Sequence, residues 1–150
     1  MSSHTVTEYK KGDLIFKEGS SDAVLYEVQY GTIGIVKGYG SDSEVSLAEI
    51  TEGYFGESGL SGDGVRSASA VALTDVGVIK IDAGTMKEYF TENPLKLDVL
   101  LQDLSKRLRS ADRKYIKACE YIDEVMEAID NDKELAPELL TSMKELVSGK

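Results

Sequence analysis

The sequence predicts a mainly β chain of the α+β class, in which an antiparallel β-roll is followed by a long C-terminal helix. Short β-rich runs alternate with glycine-centred turns about every ten residues from Thr5 to Asp82, a pattern typical of antiparallel sandwiches and barrels. Apolar residues then recur at alternating steps of four and three over residues 97–129, which is the spacing of a long helix. At 150 residues the chain has the size of one ordinary domain.

The predicted strands are runs rich in β-branched and aromatic residues, separated by turns rich in glycine, serine and aspartate. They cover residues 13–17, 24–29, 32–38, 44–50, 66–73 and 76–81. A short helix is expected after Asp82, closed by Asn93, and Pro94 suits the first position of the next helix. The predicted organisation is a β-roll domain over 1–93, with the cassette described below at 54–69, a long helix over 94–130 and an acidic helical tail over 131–150.

The apolar positions of the long helix form one seam with the 3.5-residue period of a coiled coil. A sustained 3.5 period favours a partner helix alongside, whereas a helix packed on its own domain more often shows a wider stripe of period 3.6. We therefore expect a homodimer through this helix, with folding back onto the chain's own β-roll as the alternative. The seam residues are Leu97, Leu101, Leu104, Leu108, Ala111, Tyr115, Ala118, Ile122, Val125 and Ile129.

Composition excludes several classes of function. Seventeen basic residues against 27 acidic ones give a net charge of -10, which repels phosphate backbones and argues against direct DNA binding. The single cysteine, Cys119, cannot form an intramolecular disulfide and suits a reducing compartment. The N-terminal residues contain no apolar run, and no segment has the length of a membrane span. We expect a cytoplasmic protein without a membrane segment, whose residues 119–150 carry nine acids and three bases and form a solvated acidic element.

An enzyme is not expected from this sequence. Metal-dependent enzymes built on β-rolls need several histidines with a carboxylate, and this chain has only His4. No histidine is available to activate a serine or the cysteine for acyl transfer. We therefore expect neither a catalytic residue nor a bound metal or cofactor.

The stretch "YFGESGLSGDGVRSASAVA", from Tyr54 to Ala72, contains the candidate binding site. Glycines allow backbone N–H groups to approach a small anion, usually a phosphate. Arg66 presents a planar fork that matches two phosphate oxygens. The Glu57 carboxylate accepts hydrogen bonds, so a ribose hydroxyl is a natural target. These residue types indicate a nucleotide site, with an ion pair between Glu57 and Arg66, or simple exposure of both, as the alternatives.

From about Tyr9 to Arg113 the sequence resembles the cyclic-nucleotide-binding domain of catabolite activator proteins and of cyclic-nucleotide-dependent kinase regulatory subunits. The opening pattern is matched by "YKKGDLIFKEG" and "LYEVQYGTIGIV". The phosphate-binding cassette of the family is matched by "FGESGL" followed by "RSA". "NPLKLDVLLQDLSKRLR" resembles the start of the dimerisation helix of the activators. The resemblance implies a double-stranded β-helix, or jelly roll, flanked by helices.

The resemblance also implies roles for single residues. Glu57 would accept the ribose 2'-hydroxyl, and Arg66 would pair with the cyclic phosphate. Backbone amides of the cassette would support both groups, and the Ser67 hydroxyl would reach a phosphate oxygen or the base. The implied ligand-binding residues are Phe55, Gly56, Glu57, Ser58, Gly59, Leu60, Arg66, Ser67 and Ala68.

Recognition of the base is expected from the long helix, which covers the base in dimeric relatives. Ser110, Asp112 and Arg113 fall at about that place, although such residues also occur on an ordinary solvated helix face. The choice between cAMP and cGMP stays open. Only 37 residues follow Arg113, so the sequence resembles the sensor without a helix-turn-helix domain.

Two functions are consistent with these residues. The first is a sensor or regulatory module that binds a cyclic mononucleotide and signals through its long helix to a separate protein partner. The second is a non-catalytic dimeric scaffold, whose cassette binds another small anionic ligand or none.

Overall fold

The computed structural model describes residues 4–60, 63–131 and 137–148. The chain divides into two compact units, Met1–Asp103 and Leu104–Lys150. The elements are β1 (Val6–Tyr9), β2 (Leu14–Phe16), β3 (Val24–Tyr30), β4 (Ile33–Lys37), β5 (Val45–Ile50), β6 (Tyr54–Phe55), a 3₁₀ helix (Glu57–Leu60), β7 (Ser69–Ala72), β8 (Val76–Asp82), α1 (Met86–Glu92), α2 (Pro94–Asp130) and α3 (Pro137–Ser148).

The first unit contains two four-stranded antiparallel sheets, which confirms the predicted β-roll. The strand orders are β1-β8-β3-β6 and β2-β7-β4-β5. Sequence neighbours therefore often lie in different sheets, as a jelly roll requires. The inward side chains of both sheets form one apolar core, which consists of Ile15, Phe16, Tyr26, Ile33, Phe55, Ala70, Ala72, Val76 and Val78.

Two differences from the predicted strands concern the ends of the cassette. The structure adds β6, which has two residues and is too short to show an alternating pattern. The run predicted over 66–73 forms a strand only from Ser69 to Ala72. Arg66 lies outside β7 because its backbone N–H donates to the Ser20 carbonyl at 2.8 Å and its carbonyl accepts from the Gly19 N–H at 2.9 Å. The cassette arginine is therefore anchored to the loop that follows β2.

The helices follow the order expected from the sequence. Helix α2 begins at Pro94, where the missing N–H of proline costs no intrahelical hydrogen bond. Several seam side chains are exposed, among them Leu108 (64%) and Tyr115 (72%). The side chain of the seam residue Ile129 lies outside the described residues, as do residues 132–136 of the predicted acidic tail. In the described part of the chain, no helix combines the length and hydrophobicity that crossing a bilayer requires.

The β3–β4 turn depends on Gly31, which has a φ of 91°. A Cβ there would lie 2.3 Å from the Asp75 backbone oxygen. We expect Gly31→Ala to lower the free energy of unfolding by about 2 kcal/mol or more, because backbone strain and the steric clash add. Urea unfolding measured by circular dichroism checks this value.

Gly40→Ala is the matched control, because Gly40 has a φ of 79° but a Cβ there would meet nothing within 4 Å. It should lose about 1 kcal/mol, from backbone strain alone. Equal losses in the two variants would contradict the steric argument.

Candidate functional site

The cassette begins on β6 and continues through the 3₁₀ helix to Arg66. Phe55 pairs with Tyr26 of β3, so the loop starts from a fixed position in the first sheet. Gly56 has a φ of 83°, which glycine adopts readily and lets the chain turn into the 3₁₀ helix. Gly62, one of the four glycines of the predicted loop, lies outside the described residues.

The Arg66 side chain is buried inside this loop, with 1% of the residue exposed. One guanidinium nitrogen, Nη1, donates to the Gly56 carbonyl. The other, Nη2, donates to the Asp22 carboxylate and to the Val24 carbonyl, the latter at 2.7 Å. Burying a charge is costly unless it is paired and hydrogen-bonded. These three acceptors hold the guanidinium in one position.

Aromatic rings complete the surroundings of the guanidinium. Its Cζ lies 4.1 Å from the centre of the Phe16 ring and 5.6 Å from that of Tyr26, which is a favourable arrangement for a cation. The Tyr26 and Phe55 rings stack with centres 5.0 Å apart. Burial, followed by the Asp22 charge, raises the pKa of Tyr26 to about 12. Tyr26 therefore stays neutral at physiological pH and contributes no competing negative charge.

Two cassette glycines make room for this arginine. A Cβ on Gly56 would lie 2.8 Å from Arg66 Nη1, and one on Gly59 would lie 2.7 Å from the same nitrogen. A Cβ on Gly59 would also lie 2.4 Å from the Asp22 backbone oxygen. The sequence suggested that these glycines admit a ligand. The structure shows a second requirement, because the arginine itself needs the space.

One of the three guanidinium nitrogens has no acceptor among the described residues. The Arg66 Nε–H is buried and has no hydrogen-bond partner among the described residues. Buried donors are nearly always paired in folded proteins, so an unpaired one calls for an explanation. The unpaired Nε–H is therefore the part of Arg66 at which an added acceptor would form a stabilising hydrogen bond.

The other predicted cassette residues surround the arginine at different depths. Phe55 and Ala68 are buried, at 0% and 4% exposure. Glu57 and Ser58 are half-buried at the start of the 3₁₀ helix, whereas Leu60 and Ser67 are exposed. Asp22 forms an ion pair with Arg66.

Sequence reasoning missed Asp22 as the partner of Arg66. The two residues are 44 positions apart, and Asp22 stands in "EGSSD", where an aspartate is explained equally well as a turn residue. The one available signal was that a buried arginine requires a carboxylate. That signal depends on knowing that Arg66 is buried.

The residues expected to contact a base lie on α2 in the second unit. Ser110 is half-buried, and Asp112 and Arg113 are exposed. Their role in base recognition stays a prediction.

A polar cluster, the Glu27 cluster, lies next to the cassette strand and consists of Glu27, Tyr54, Tyr89 and Lys96. Glu27 of β3 pairs with Tyr54 of β6 in the sheet register. Its carboxylate accepts a hydrogen bond from the Tyr89 hydroxyl of α1. It also lies 2.9 Å from Lys96 Nζ in the first turn of α2, and Lys96 Nζ donates to the Tyr89 hydroxyl oxygen at 3.0 Å. Within the first unit, the cluster joins the start of α2 to the strand that carries the cassette.

Burial governs the chemistry of the Glu27 cluster. The Glu27 side chain is 13% exposed, and Tyr54 and Tyr89 are 2% and 1% exposed. Burial, followed by the hydrogen bond to Glu27, raises the pKa of Tyr89 above its ordinary value. Burial likewise raises the pKa of Tyr54. Both phenols therefore stay neutral, and Lys96 supplies the charge that balances Glu27.

The first unit is thus a jelly roll in which a glycine-rich loop encloses a buried arginine. Residues 6–93 match the family described as "Cyclic nucleotide-binding domain". The chain belongs to this family.

Similar proteins include receptors and regulators. The chain is 33% identical over 105 residues to the cyclic AMP receptor protein of Thermus thermophilus. The matched residues make up 69% of this chain and 49% of that protein. It is 27% identical over 101 residues to the cAMP-dependent protein kinase regulatory subunit of Dictyostelium discoideum. The matched residues make up 67% of this chain and 31% of that protein. The chain thus spans half the length of these relatives or less.

A solved structure supports the same fold. The crystal structure of the Thermus thermophilus catabolite activator protein matches with a TM-score of 0.65 and 29% sequence identity. The match covers 78% of this chain and 55% of that chain.

Asp22→Asn tests the partner of the buried arginine. Removing one member of a fully buried ion pair costs about 3–5 kcal/mol. We expect a smaller loss of unfolding free energy, about 1–2 kcal/mol, because the Asp22 side chain is 37% exposed and solvent screens the pair. Urea unfolding measures the loss.

The matched control is Asp42→Asn, since Asp42 is an exposed aspartate in the β4–β5 turn. It should change stability by less than about 0.5 kcal/mol. An Asp22→Asn variant as stable as this control would show that Arg66 does not depend on Asp22.

Proposed function

We propose that this protein is a sensor or regulatory module that binds a cyclic mononucleotide, cAMP or cGMP, at the cassette, and that it is not an enzyme. The observation that supports this most directly is the buried Arg66, held by Asp22, Gly56 and Val24 with its Nε–H unpaired. A phosphate oxygen is a suitable acceptor for this donor, because an anionic acceptor forms a stronger hydrogen bond to guanidinium than a neutral one.

The charge of the site favours a ligand with a single phosphodiester. Arg66 carries one positive charge, which the partly exposed Asp22 offsets only in part, so a ligand with several negative charges would meet less compensation in the cassette than one with a single charge. A cyclic mononucleotide carries one negative charge. Its ribose 2'-hydroxyl would donate to Glu57, which lies at the start of the 3₁₀ helix.

The names of the relatives agree with this proposal. Two of them are called a cyclic AMP receptor protein and a cAMP-dependent protein kinase regulatory subunit. We propose that this chain acts in the cytoplasm and passes the signal through α2 to a separate protein partner. The ligand would act through its differential affinity for two arrangements of the helix.

Isothermal titration with cAMP and with cGMP tests the binding. We expect one of the two to bind, and Glu57→Gln to weaken it by about 10-fold to 100-fold, because a hydrogen bond to a charged group contributes about 1.5–3 kcal/mol. Arg66→Lys keeps the charge but removes the fork and should abolish binding.

Glu52→Gln is the matched control for Glu57→Gln, because Glu52 is an exposed glutamate shortly before β6. It should leave the affinity unchanged. If wild-type protein shows neither heat nor a thermal shift with either nucleotide at millimolar concentration, the proposed ligand is wrong.

We further propose that the module is a homodimer through α2. Leu101, Leu108, Tyr115 and Ile122 of the seam are 54%, 64%, 72% and 54% exposed in the single chain. A row of exposed apolar side chains at 3.5-residue spacing is stabilised when a second helix covers it.

Light scattering of the protein and of Leu108→Glu checks the dimer. The wild type should have twice the mass of the chain, and Leu108→Glu should be monomeric, because a buried unpaired carboxylate is costly. Ile116→Glu is the matched control, since Ile116 is 56% exposed but lies outside the seam. A monomeric wild type, or equal effects of both variants, would contradict the proposed interface.

A second candidate is a dimeric scaffold whose cassette binds another small anion or none. The ion pair with Asp22 favours this candidate, because it already offsets part of the Arg66 charge without a ligand. A dimer that binds neither cyclic nucleotide in the titrations above would support it.

A further inference from the structure

Lys37, the last residue of β4, reaches across to the cassette. Its Nζ donates a hydrogen bond to the backbone carbonyl of Ser67 at 2.9 Å. Ser67 directly follows the buried arginine and is exposed. The contact therefore connects the second sheet to the part of the cassette that lies beyond Arg66.

Glu18 holds the Lys37 ammonium in place. Its Oε1 forms an ion pair with Lys37 Nζ, and its Oε2 accepts the Gly38 N–H at 2.8 Å. The backbone N–H of Glu18 donates to the buried Ser69 hydroxyl at 2.9 Å. The Lys37 ammonium, followed by the Gly38 amide, lowers the pKa of Glu18, so the carboxylate is charged at neutral pH. Lys37 is thus held by Glu18 as well as by the Ser67 carbonyl.

The position of the Ser67 carbonyl determines the direction of the next amide. A trans peptide is planar, so its C=O and the following N–H point in opposite directions, and no described peptide bond is cis. Fixing the Ser67 carbonyl on Lys37 therefore directs the Ala68 N–H away from Lys37. Arg66 is held by its own backbone hydrogen bonds to Gly19 and Ser20, so Lys37 extends this restraint by one peptide unit.

We propose that Lys37 is a positioning residue of the nucleotide site, which orients the Ser67–Ala68 peptide so that the Ala68 amide and the Ser67 hydroxyl meet the phosphate. Lys37 acts through this peptide and does not contact the ligand. The Glu18 carboxylate balances its charge, so long-range attraction of the phosphate is a minor contribution. This inference rests on the proposed function, since it assigns a role in the same site.

Binding measurements form the first half of the test. Titration with whichever of cAMP and cGMP binds should show that Lys37→Met weakens binding about tenfold, and that Lys37→Arg, which keeps a donor, stays within about threefold of wild type. The loss should persist between 50 and 500 mM NaCl, because positioning is not screened, whereas a direct charge effect fades with salt.

Lys10→Met is the matched control. Lys10 is an exposed lysine that pairs with Asp75, so the variant removes the same kind of ion pair without touching a cassette residue. It should leave the affinity unchanged. A Lys37→Met variant that binds like wild type, or one whose defect vanishes at high salt, overturns the proposal.

The second half of the test uses the ligand-free protein. In ¹H–¹⁵N spectra, Lys37→Met should shift the Ala68 amide resonance and speed its hydrogen exchange, whereas Lys37→Arg and Lys10→Met should not. An unchanged Ala68 amide would show that Lys37 does not hold the peptide. If the wild type binds neither nucleotide, the proposed function fails, and these spectra still decide whether Lys37 orients the peptide.

Discussion

The burial of the Arg66 guanidinium is the constraint on which the cassette depends. A buried cation needs a carboxylate, carbonyl acceptors and polarisable neighbours, and these come from three separate parts of the chain. Asp22 and Val24 lie before and at the start of β3, the Gly56 carbonyl lies in the cassette, and Phe16 lies at the end of β2. The glycines are needed because no side chain fits beside the guanidinium. The arginine therefore organises the loops at this end of the roll.

Different residues hold the Arg66 side chain and the backbone groups beside it. Asp22 and the aromatic rings hold the side chain, whereas Gly19, Ser20 and Lys37 hold backbone groups at residues 66 and 67. Asp22 stands in the same β2–β3 loop as Gly19 and Ser20, whereas Lys37 lies at the end of β4. A substitution of Lys37 is therefore expected to leave the side-chain contacts of Arg66 largely in place, since sites without shared partners behave nearly independently.

The general fold could be predicted from the sequence, whereas the nucleotide chemistry of the site stays a prediction. The alternating runs indicated the sheets, and the spacing of Glu57 and Arg66 within a glycine-rich loop indicated a phosphate and a sugar. The partner of Arg66 could not be predicted, because Asp22 is 44 residues away and a turn aspartate has no distinctive pattern. The contact of Lys37 with the cassette could not be predicted either, because the sequence indicates only an ordinary exposed lysine at the end of a strand. Both depend on tertiary contacts that local periodicity does not encode.

The Glu27 cluster has a mechanical consequence for α2. Lys96 is the third residue of that helix, and its ammonium is held by a carboxylate on the strand next to β6. The first turn of the helix is therefore tied to the β-roll within the first unit. A displacement of β6 against β3 would strain the contacts that Glu27 makes with Lys96 and Tyr89, so the cassette strand and the start of α2 are mechanically connected.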